Sequence, residues 1–157
     1  MVRERLRRVD ERGFTLAELM IVMVMIGVLS IVTTPMLLSY WRTSTLGAGA
    51  RELASAINLG RQLAISRNTT VCVEVNGTNI QMRTGGCAGT IWTGPGTDSA
   101  GVVRVSNPSD LQVSAGGSVV FTNLGAASTA GTFTITNPAD GGTRSVVVAA
   151  SGQVRVQ

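Results

Sequence analysis

The stretch that decides the fold is RGFTLAELMIVMVMIGVLSIVTTPMLL, residues 12–38. Within it, the twenty residues from Leu19 to Leu38 carry no charge and are rich in Met, Val, Ile and Leu. A helix rises about 1.5 Å per residue, so such a run spans roughly 30 Å, the thickness of a bilayer's hydrocarbon core. The run therefore predicts one membrane-spanning helix.

Charges on either side of this run predict its orientation. Residues 1–12 hold five arginines against three acids, whereas Arg42 alone follows the run closely. The positive-inside rule then places Met1 in the cytoplasm and the residues after Trp41 outside. Tyr40 and Trp41 suit the outer interface, and no small-residue site for cleavage of a secretory signal closes the run.

Glu18 stands near the start of the apolar helix, where an ionised carboxylate in lipid costs a few kcal/mol. No arginine lies within one turn on its C-terminal side, and Gly13 separates it from Arg12. Two interpretations remain open. Glu18 is an acid favoured by the helix dipole, worth about 0.3–1 kcal/mol, or it pairs with a cation from another chain.

The segment RGFTLAE, residues 12–18, resembles the prepilin processing motif of type IV pilins and type II secretion pseudopilins. The resemblance implies that a membrane prepilin peptidase cuts after Gly13 and methylates the new N-terminal Phe14. The mature chain would have 157 − 13 = 144 residues. In that family, the glutamate matching Glu18 pairs with the N-terminal amine of a neighbouring subunit.

Composition argues against an enzyme. The chain has no histidine, and all thirteen of its basic residues are arginine. Histidine-based triads, zinc sites and lysine nucleophiles are thereby excluded. Asp98, Asp110 and Asp140 lie in turn-like sequence and lack the spacing of a calcium loop. We expect no catalytic residue, no metal and no cofactor.

A second helical pattern continues after the membrane run. An apolar seam advances by four and three residues alternately, through Leu46, Ala50, Leu53, Ile57, Gly60 and Ala64. Polar residues fall on the opposite arc: Arg51, Ser55, Asn58, Arg61 and Gln62. The pattern predicts one long helix from about Phe14 to about Arg67, with weak points at Pro35 and residues 47–49.

Pro35 removes one backbone hydrogen bond inside the apolar helix, so a kink or a loosened turn is expected there. Pilins often carry a proline in this region. Two interpretations stay open: a segment that bends during packing into a filament, or a tolerated membrane proline without a role.

Short runs of Val and Thr separated by Gly, Asn and Ser predict strands and turns after Asn68. Val71–Val75 and Thr78–Arg83 flank Asn76-Gly77 and predict a hairpin with a type I′ turn. Residues 84–101 predict a long surface loop that carries Trp92. Further predicted strands are Val102–Ser106, Leu111–Ser114, Ser118–Thr122, Thr132–Thr136, Thr143–Ala149 and Gln153–Val156, with a turn at 137–142.

The expected fold class is α+β, with a pilin-like long N-terminal helix packed against an antiparallel β-sheet domain. The expected segments are a cytoplasmic leader (1–13, removed), a transmembrane and filament-core helix (14–41), its amphipathic continuation (42–67) and a periplasmic β-sheet domain (68–157). The helix running into Val71-Cys72-Val73 and the ending 146–155 resemble the GspH/FimT group of minor pseudopilins and minor pilins.

Cys72 and Cys87 are fifteen positions apart. In an oxidising periplasm, a disulfide between them would stabilise the fold by about 3 kcal/mol. Two free, half-buried thiols are the alternative. Their number and spacing exclude a CxxC redox motif or a zinc site.

The favoured hypothesis is a minor pseudopilin of the type II secretion system, anchored in the bacterial inner membrane before it joins a periplasmic filament. The resemblance implies as partners prepilin peptidase, other major and minor pseudopilins or pilins, the inner-membrane assembly platform and the lipid bilayer.

The alternative hypothesis is a minor type IV pilin that binds DNA for uptake, and it is less favoured. Some minor pilins of this group resemble DNA-uptake receptors with a Gly-Arg-x-Arg ending. Residues 152–155 read Gly-Gln-Val-Arg here, so only Arg155 is left to contact a phosphate. From Arg42 onward, eight arginines face five acids, which is only mildly basic.

Overall fold

The computed structural model describes residues 14–76, 78–105, 111–115 and 117–157. These residues form one helix, α1 (Leu16–Ser66), and ten strands. The strands are β1 (Val71–Asn76), β2 (Asn79–Thr84), β3 (Thr90–Ile91), β4 (Val102–Arg104), β5 (Gln112–Ala115), β6 (Val119–Phe121), β7 (Ala127–Thr129), β8 (Gly131–Thr136), β9 (Thr143–Val148) and β10 (Val154–Val156).

The chain divides into two compact units between Ser39 and Tyr40. The described part of the first unit is the beginning of α1, and every side chain from Phe14 to Ser39 is exposed. This part of the helix is long and apolar enough to cross a membrane. α1 stays helical through Pro35 and through residues 47–49, so neither of these expected weak points ends it.

The second unit contains the rest of α1 and all the strands. The predicted apolar seam is confirmed, because all six of its residues are buried: Leu46, Ala50, Leu53, Ile57, Gly60 and Ala64. α1 ends at Ser66, one residue before the expected end. Asn68 then adopts a positive φ of 50°, a backbone conformation that terminates helices and that Asn tolerates.

Two antiparallel sheets pack with this half of α1, which confirms the α+β fold class. The first sheet has the order β3-β2-β1-β6-β7, with β4 also paired to β2, and the second has the order β10-β9-β8-β5. The core lies between the helix seam and the inward faces of the strands. Its largest fully buried side chains include Phe121, Phe133, Leu53, Ile57 and Met82.

The predicted hairpin is confirmed, but its strand pairing is displaced by two residues. β1 pairs with β2 so that Asn76 faces Asn79 and Val75 faces Ile80, whereas a two-residue turn at 76–77 would place Val75 opposite Thr78. Gly77 itself lies outside the described residues, so the type I′ turn stays a prediction. Three other predictions also fall outside the described residues: the leader, the turn at Asp110 and the end of the strand predicted at Val102–Ser106.

The sequence patterns missed two short strands. β3 lies inside the region predicted as a loop, where it pairs with the end of β2. β7 pairs with β6 across an irregular register. Two- and three-residue strands are too short for an alternating pattern, so their pairing depends on neighbours that the tertiary fold supplies.

Candidate assembly site

A capping box forms the start of α1. Thr15 is the last residue before the helix, and its hydroxyl oxygen accepts the Glu18 N–H at 3.2 Å. In return, the Thr15 N–H and the Thr15 hydroxyl donate to Glu18 Oε2 at 3.0 and 2.9 Å. The sequence Thr-Leu-Ala-Glu fits this motif, in which the two residues satisfy each other's free backbone N–H groups.

The capping box bears on the two interpretations of Glu18. Within one chain, the carboxylate sits at the helix start as the helix-terminal acid would. Glu18 nevertheless remains exposed, and Oε1 accepts no hydrogen bond from any residue in the described part of the chain. The carboxylate is thus held through one oxygen and free at the other for a cation from outside the chain.

The structure describes only the residue that follows the expected cleavage site. Gly13 lies outside the described residues, while Phe14, the residue after the expected cut, is 86% exposed. The apolar side chains that follow are exposed as well, from Leu16 to Leu38. A continuous apolar surface of this length fits a lipid bilayer or the side of a neighbouring helix.

Hydroxyl groups near Pro35 are satisfied inside the helix. Ser30 donates to the Ile26 carbonyl at 2.8 Å, and Thr34 donates to the Ser30 carbonyl at 2.7 Å. Such bonds remove hydroxyl groups from the apolar surface, as a bilayer requires. Pro35 itself is exposed. The described helix therefore presents an apolar surface even where the sequence contains Ser and Thr.

A disulfide joins Cys72 to Cys87. Cys72 lies fully buried in β1, whereas Cys87 is exposed in the turn after β2. The bond ties the start of the 84–101 region to the central strand of the first sheet. Glu74 lies close to the two sulfurs. Because both sulfurs are in the disulfide, they offer no thiolate ligand for a metal at this position.

Three arginines of the sheet domain bind partners within it: Arg83, Arg104 and Arg155. Arg83 pairs with Glu74 at 3.1 Å, and Arg104 lies 3.7 Å from Asp98. Arg155 is exposed on β10 and donates to Gln153 Oε1 at 2.8 Å. Gln153, which replaces the first arginine of the DNA-uptake pattern, thus accepts a hydrogen bond from the remaining one, Arg155.

Sequence reasoning missed a contact between the helix, the β6–β7 turn and the β9–β10 turn. Arg61, predicted on the solvated arc, is only half exposed, and its Nε donates to the Gly125 carbonyl at 2.8 Å. Gly152 packs on the same carbonyl with a φ of 79°. The sequence shows a glycine at position 152, but its partners Gly125 and Arg61 lie 27 and 91 positions away.

A long helix with an apolar first part, a glutamate at its start and a second part packed on antiparallel sheets defines a pilin-like protein. Residues 49–152 match the model of the type II transport protein GspH family, and residues 8–34 match the prokaryotic N-terminal methylation motif. The first match covers more than half of the chain, so this chain belongs to the GspH family.

Solved structures share the fold at low sequence identity. The type IV minor pilin FimU of Pseudomonas aeruginosa superposes with a TM-score of 0.58 at 17% identity, covering 75% of this chain and 92% of that one. The minor pseudopilin EpsH of Vibrio cholerae gives 0.55 at 13% identity, covering 71% and 95%. No curated protein matches this sequence. The family and both neighbours are structural pilin or pseudopilin subunits.

Proposed function

We propose that this protein is a minor pseudopilin of a type II secretion system, cut after Gly13, methylated on Phe14 and assembled into a periplasmic filament. The observation that carries the proposal is the joint occurrence, in one chain, of the GspH match and the N-terminal methylation motif. Before assembly, α1 anchors the chain in the inner membrane with the sheet domain on the periplasmic side. No step of this role requires catalysis by the chain.

The geometry at the helix start supports a pairing role for Glu18. Cleavage creates a positive amine on Phe14, while the capping box holds the carboxylate in place through Oε2. A neighbour's amine would then meet a preorganised acceptor in surroundings of low dielectric, where opposite charges attract strongly. An unpaired charge there is costly, so docking in the correct register is favoured.

Processing is tested at Gly13. Gly13→Leu is expected to leave the leader uncut, because a peptidase that selects glycine before the cut must reject a bulky side chain. Mass spectrometry of the N-terminus reads the result directly: methylated Phe14 in the native chain, Met1 in the variant. A Gly13→Leu chain that is fully processed contradicts the proposal.

Assembly is tested by separating the two roles of Glu18. Glu18→Gln keeps an oxygen acceptor for the Thr15 N–H but removes the charge, whereas Thr15→Val removes the capping hydroxyl and keeps the carboxylate. We expect both variants to be processed and only Glu18→Gln to be missing from sheared filaments. Equal incorporation of both would assign Glu18 to helix capping alone.

DNA uptake by a type IV pilus remains the second candidate. It rests on the exposed guanidinium of Arg155 at the C-terminal strand. Three other arginines of the domain already bind partners within the chain: Arg61, Arg83 and Arg104. Arginines that already bind partners within the chain support DNA binding less than a groove of free arginines would.

A further inference from the structure

The two cysteines of the disulfide differ in their access to solvent. Cys72 belongs to β1, which lies between β2 and β6 in the first sheet, and it is fully buried. Cys87 lies in the turn between β2 and β3, where it is exposed together with its neighbour Ala88. A reagent that approaches from solvent therefore meets Cys87 first, and it reaches Cys72 only after the sheet opens.

The turn that carries Cys87 is held by backbone contacts as well as by the disulfide. Gly85 and Gly86 have positive φ angles of 89° and 96°, a conformation that glycine adopts at no steric cost. The Gly85 N–H donates to the Thr70 carbonyl at 2.7 Å, next to the start of β1. These contacts do not require the sulfur–sulfur bond. In the reduced domain, we therefore expect Cys87 to stay beside Cys72.

The groups around the two sulfurs favour a thiolate on Cys87. The Ser118 hydroxyl donates to Cys87 Sγ at 3.6 Å, and a hydrogen bond of this kind stabilises the ionised form of a thiol. The Glu74 carboxylate lies within 4.8 Å of both sulfurs, but it is paired with Arg83 at 3.1 Å, so the two charges largely cancel. Since the thiolate is the nucleophile in disulfide exchange, reactivity and access coincide at Cys87.

We propose that Cys87 is the site at which the reduced, folded domain reacts with an external disulfide, and that Cys72 completes the internal bond. The Cys87 thiolate attacks one sulfur of the external disulfide, forms a mixed disulfide and releases one external thiolate. Cys72 then attacks the Cys87 sulfur and displaces the second external thiolate. The two cysteines lose two protons and two electrons, and two external thiols are formed. The exchange involves only the sheet domain, so it does not depend on whether the chain serves secretion or DNA uptake.

The reaction of the fully reduced chain, in neutral detergent, with oxidised glutathione tests the proposal. Acid quenching at successive times, followed by peptide mapping in a mass spectrometer, locates the glutathione. We expect it on Cys87 alone at early times, and we expect it to disappear as the Cys72–Cys87 bond forms. Early glutathione on Cys72, or equal amounts on both residues, overturns the proposal.

Two matched variants measure each cysteine separately. Cys72→Ala leaves only Cys87, Cys87→Ala leaves only Cys72, and both lack the disulfide; circular dichroism verifies that both are folded. We expect Cys87 to form the mixed disulfide at least about 100-fold faster than Cys72, because a central strand must open before Cys72 reacts. In concentrated urea the two rates should be equal. Equal rates in the folded variants, or a difference that persists in urea, contradict a role of the fold.

A second oxidant distinguishes the two sources of an external disulfide. An oxidised protein with a CxxC disulfide replaces glutathione at the same concentration, with the same quenching and mapping. Faster reaction of Cys87 with this protein identifies a protein oxidant as the partner, and faster reaction with glutathione identifies a small disulfide. Failure of Cys87 to react with either one overturns the exchange site, while the proposed secretion role is unaffected.

Discussion

Gly152 makes a tertiary contact that its local sequence pattern does not indicate. Its backbone has a positive φ, and a Cβ there would collide with the Gly125 carbonyl that Arg61 also binds. The contact joins α1, the β6–β7 turn and the β9–β10 turn at one carbonyl oxygen. Any side chain at residue 152 must therefore disturb three parts of the domain together.

We predict that Gly152→Ala lowers the free energy of unfolding by about 2–4 kcal/mol, from backbone strain together with overpacking. Gly141→Ala is the matched control, because Gly141 also has a positive φ, 68°, but its Cβ would meet nothing within 4 Å. The control should lose about 1 kcal/mol, since only the strain applies. Urea unfolding measures both, and equal losses would contradict the role of the carbonyl contact.

At the scale of elements, α1 and the first sheet approach each other closely where the helix has a glycine. A Cβ on Gly60 would collide with the Val73 side chain of β1, while a Cβ on Gly47 would meet nothing within 4 Å. Both residues are helical, so alanine improves helix propensity equally at the two positions. Packing alone should distinguish them.

Gly47→Ala is predicted to raise the free energy of unfolding by about 0.5–1 kcal/mol through helix propensity. Gly60→Ala should lower it by about 1–2 kcal/mol, because the overpacking cost of about 1–3 kcal/mol exceeds the same gain. Opposite shifts of the unfolding midpoint in urea check the pair. A stabilising Gly60→Ala would mean that the helix and the sheet separate at little cost.

The disulfide is the second device at this scale, because it anchors the 84–101 region to β1. Cys87→Ser should lower the free energy of unfolding by about 3 kcal/mol, because the unfolded chain regains the conformational entropy that the closed loop restricts. Cys72→Ser should cost about 1–3 kcal/mol more, since it also buries a hydroxyl at a fully buried position. Thermal unfolding compares the two, and reduction of the native chain should reproduce the effect of Cys87→Ser.

For the whole molecule, the division at Ser39 separates two kinds of surface. In the described chain, no side chain from Phe14 to Ser44 is even half-buried, and every buried residue comes from Leu46 onward. A fragment that begins at Tyr40 keeps the entire described core. We expect it to be soluble and to unfold at the same urea concentration as the full chain in detergent. A markedly lower midpoint would show that the apolar segment stabilises the domain.

The two candidate functions also differ at this scale. In an electrophoretic mobility assay across a salt series, the full chain in detergent is expected to show no DNA binding in the micromolar range. The residues from Arg42 onward are only mildly basic, and three of their arginines are engaged within the chain. Binding that falls steeply with salt and weakens in Arg155→Ala, but not in Arg67→Ala, would favour DNA uptake over secretion.

Local and periodic features of this protein are encoded directly in its sequence. The uncharged run from Leu19 to Leu38 predicts a helix that the fold contains, and the spacing from Leu46 to Ala64 predicts its buried face. The RGFTLAE segment predicts a member of the type IV pilin and pseudopilin superfamily, and the chain belongs to the GspH family. These features succeed because a helix repeats every 3.6 residues, so its exposed and buried faces follow from the spacing itself.

Other features were decided only when separate segments packed together. The half-buried Arg61 depends on a carbonyl 64 positions away in sequence. The register of the hairpin and the strands β3 and β7 depend on how neighbouring segments pair once the sheet forms. A sheet register and a contact between elements are set by packing across the core, and no spacing within one segment encodes them. The helix is therefore a property of the sequence pattern, whereas the surface that surrounds it is a property of the tertiary fold.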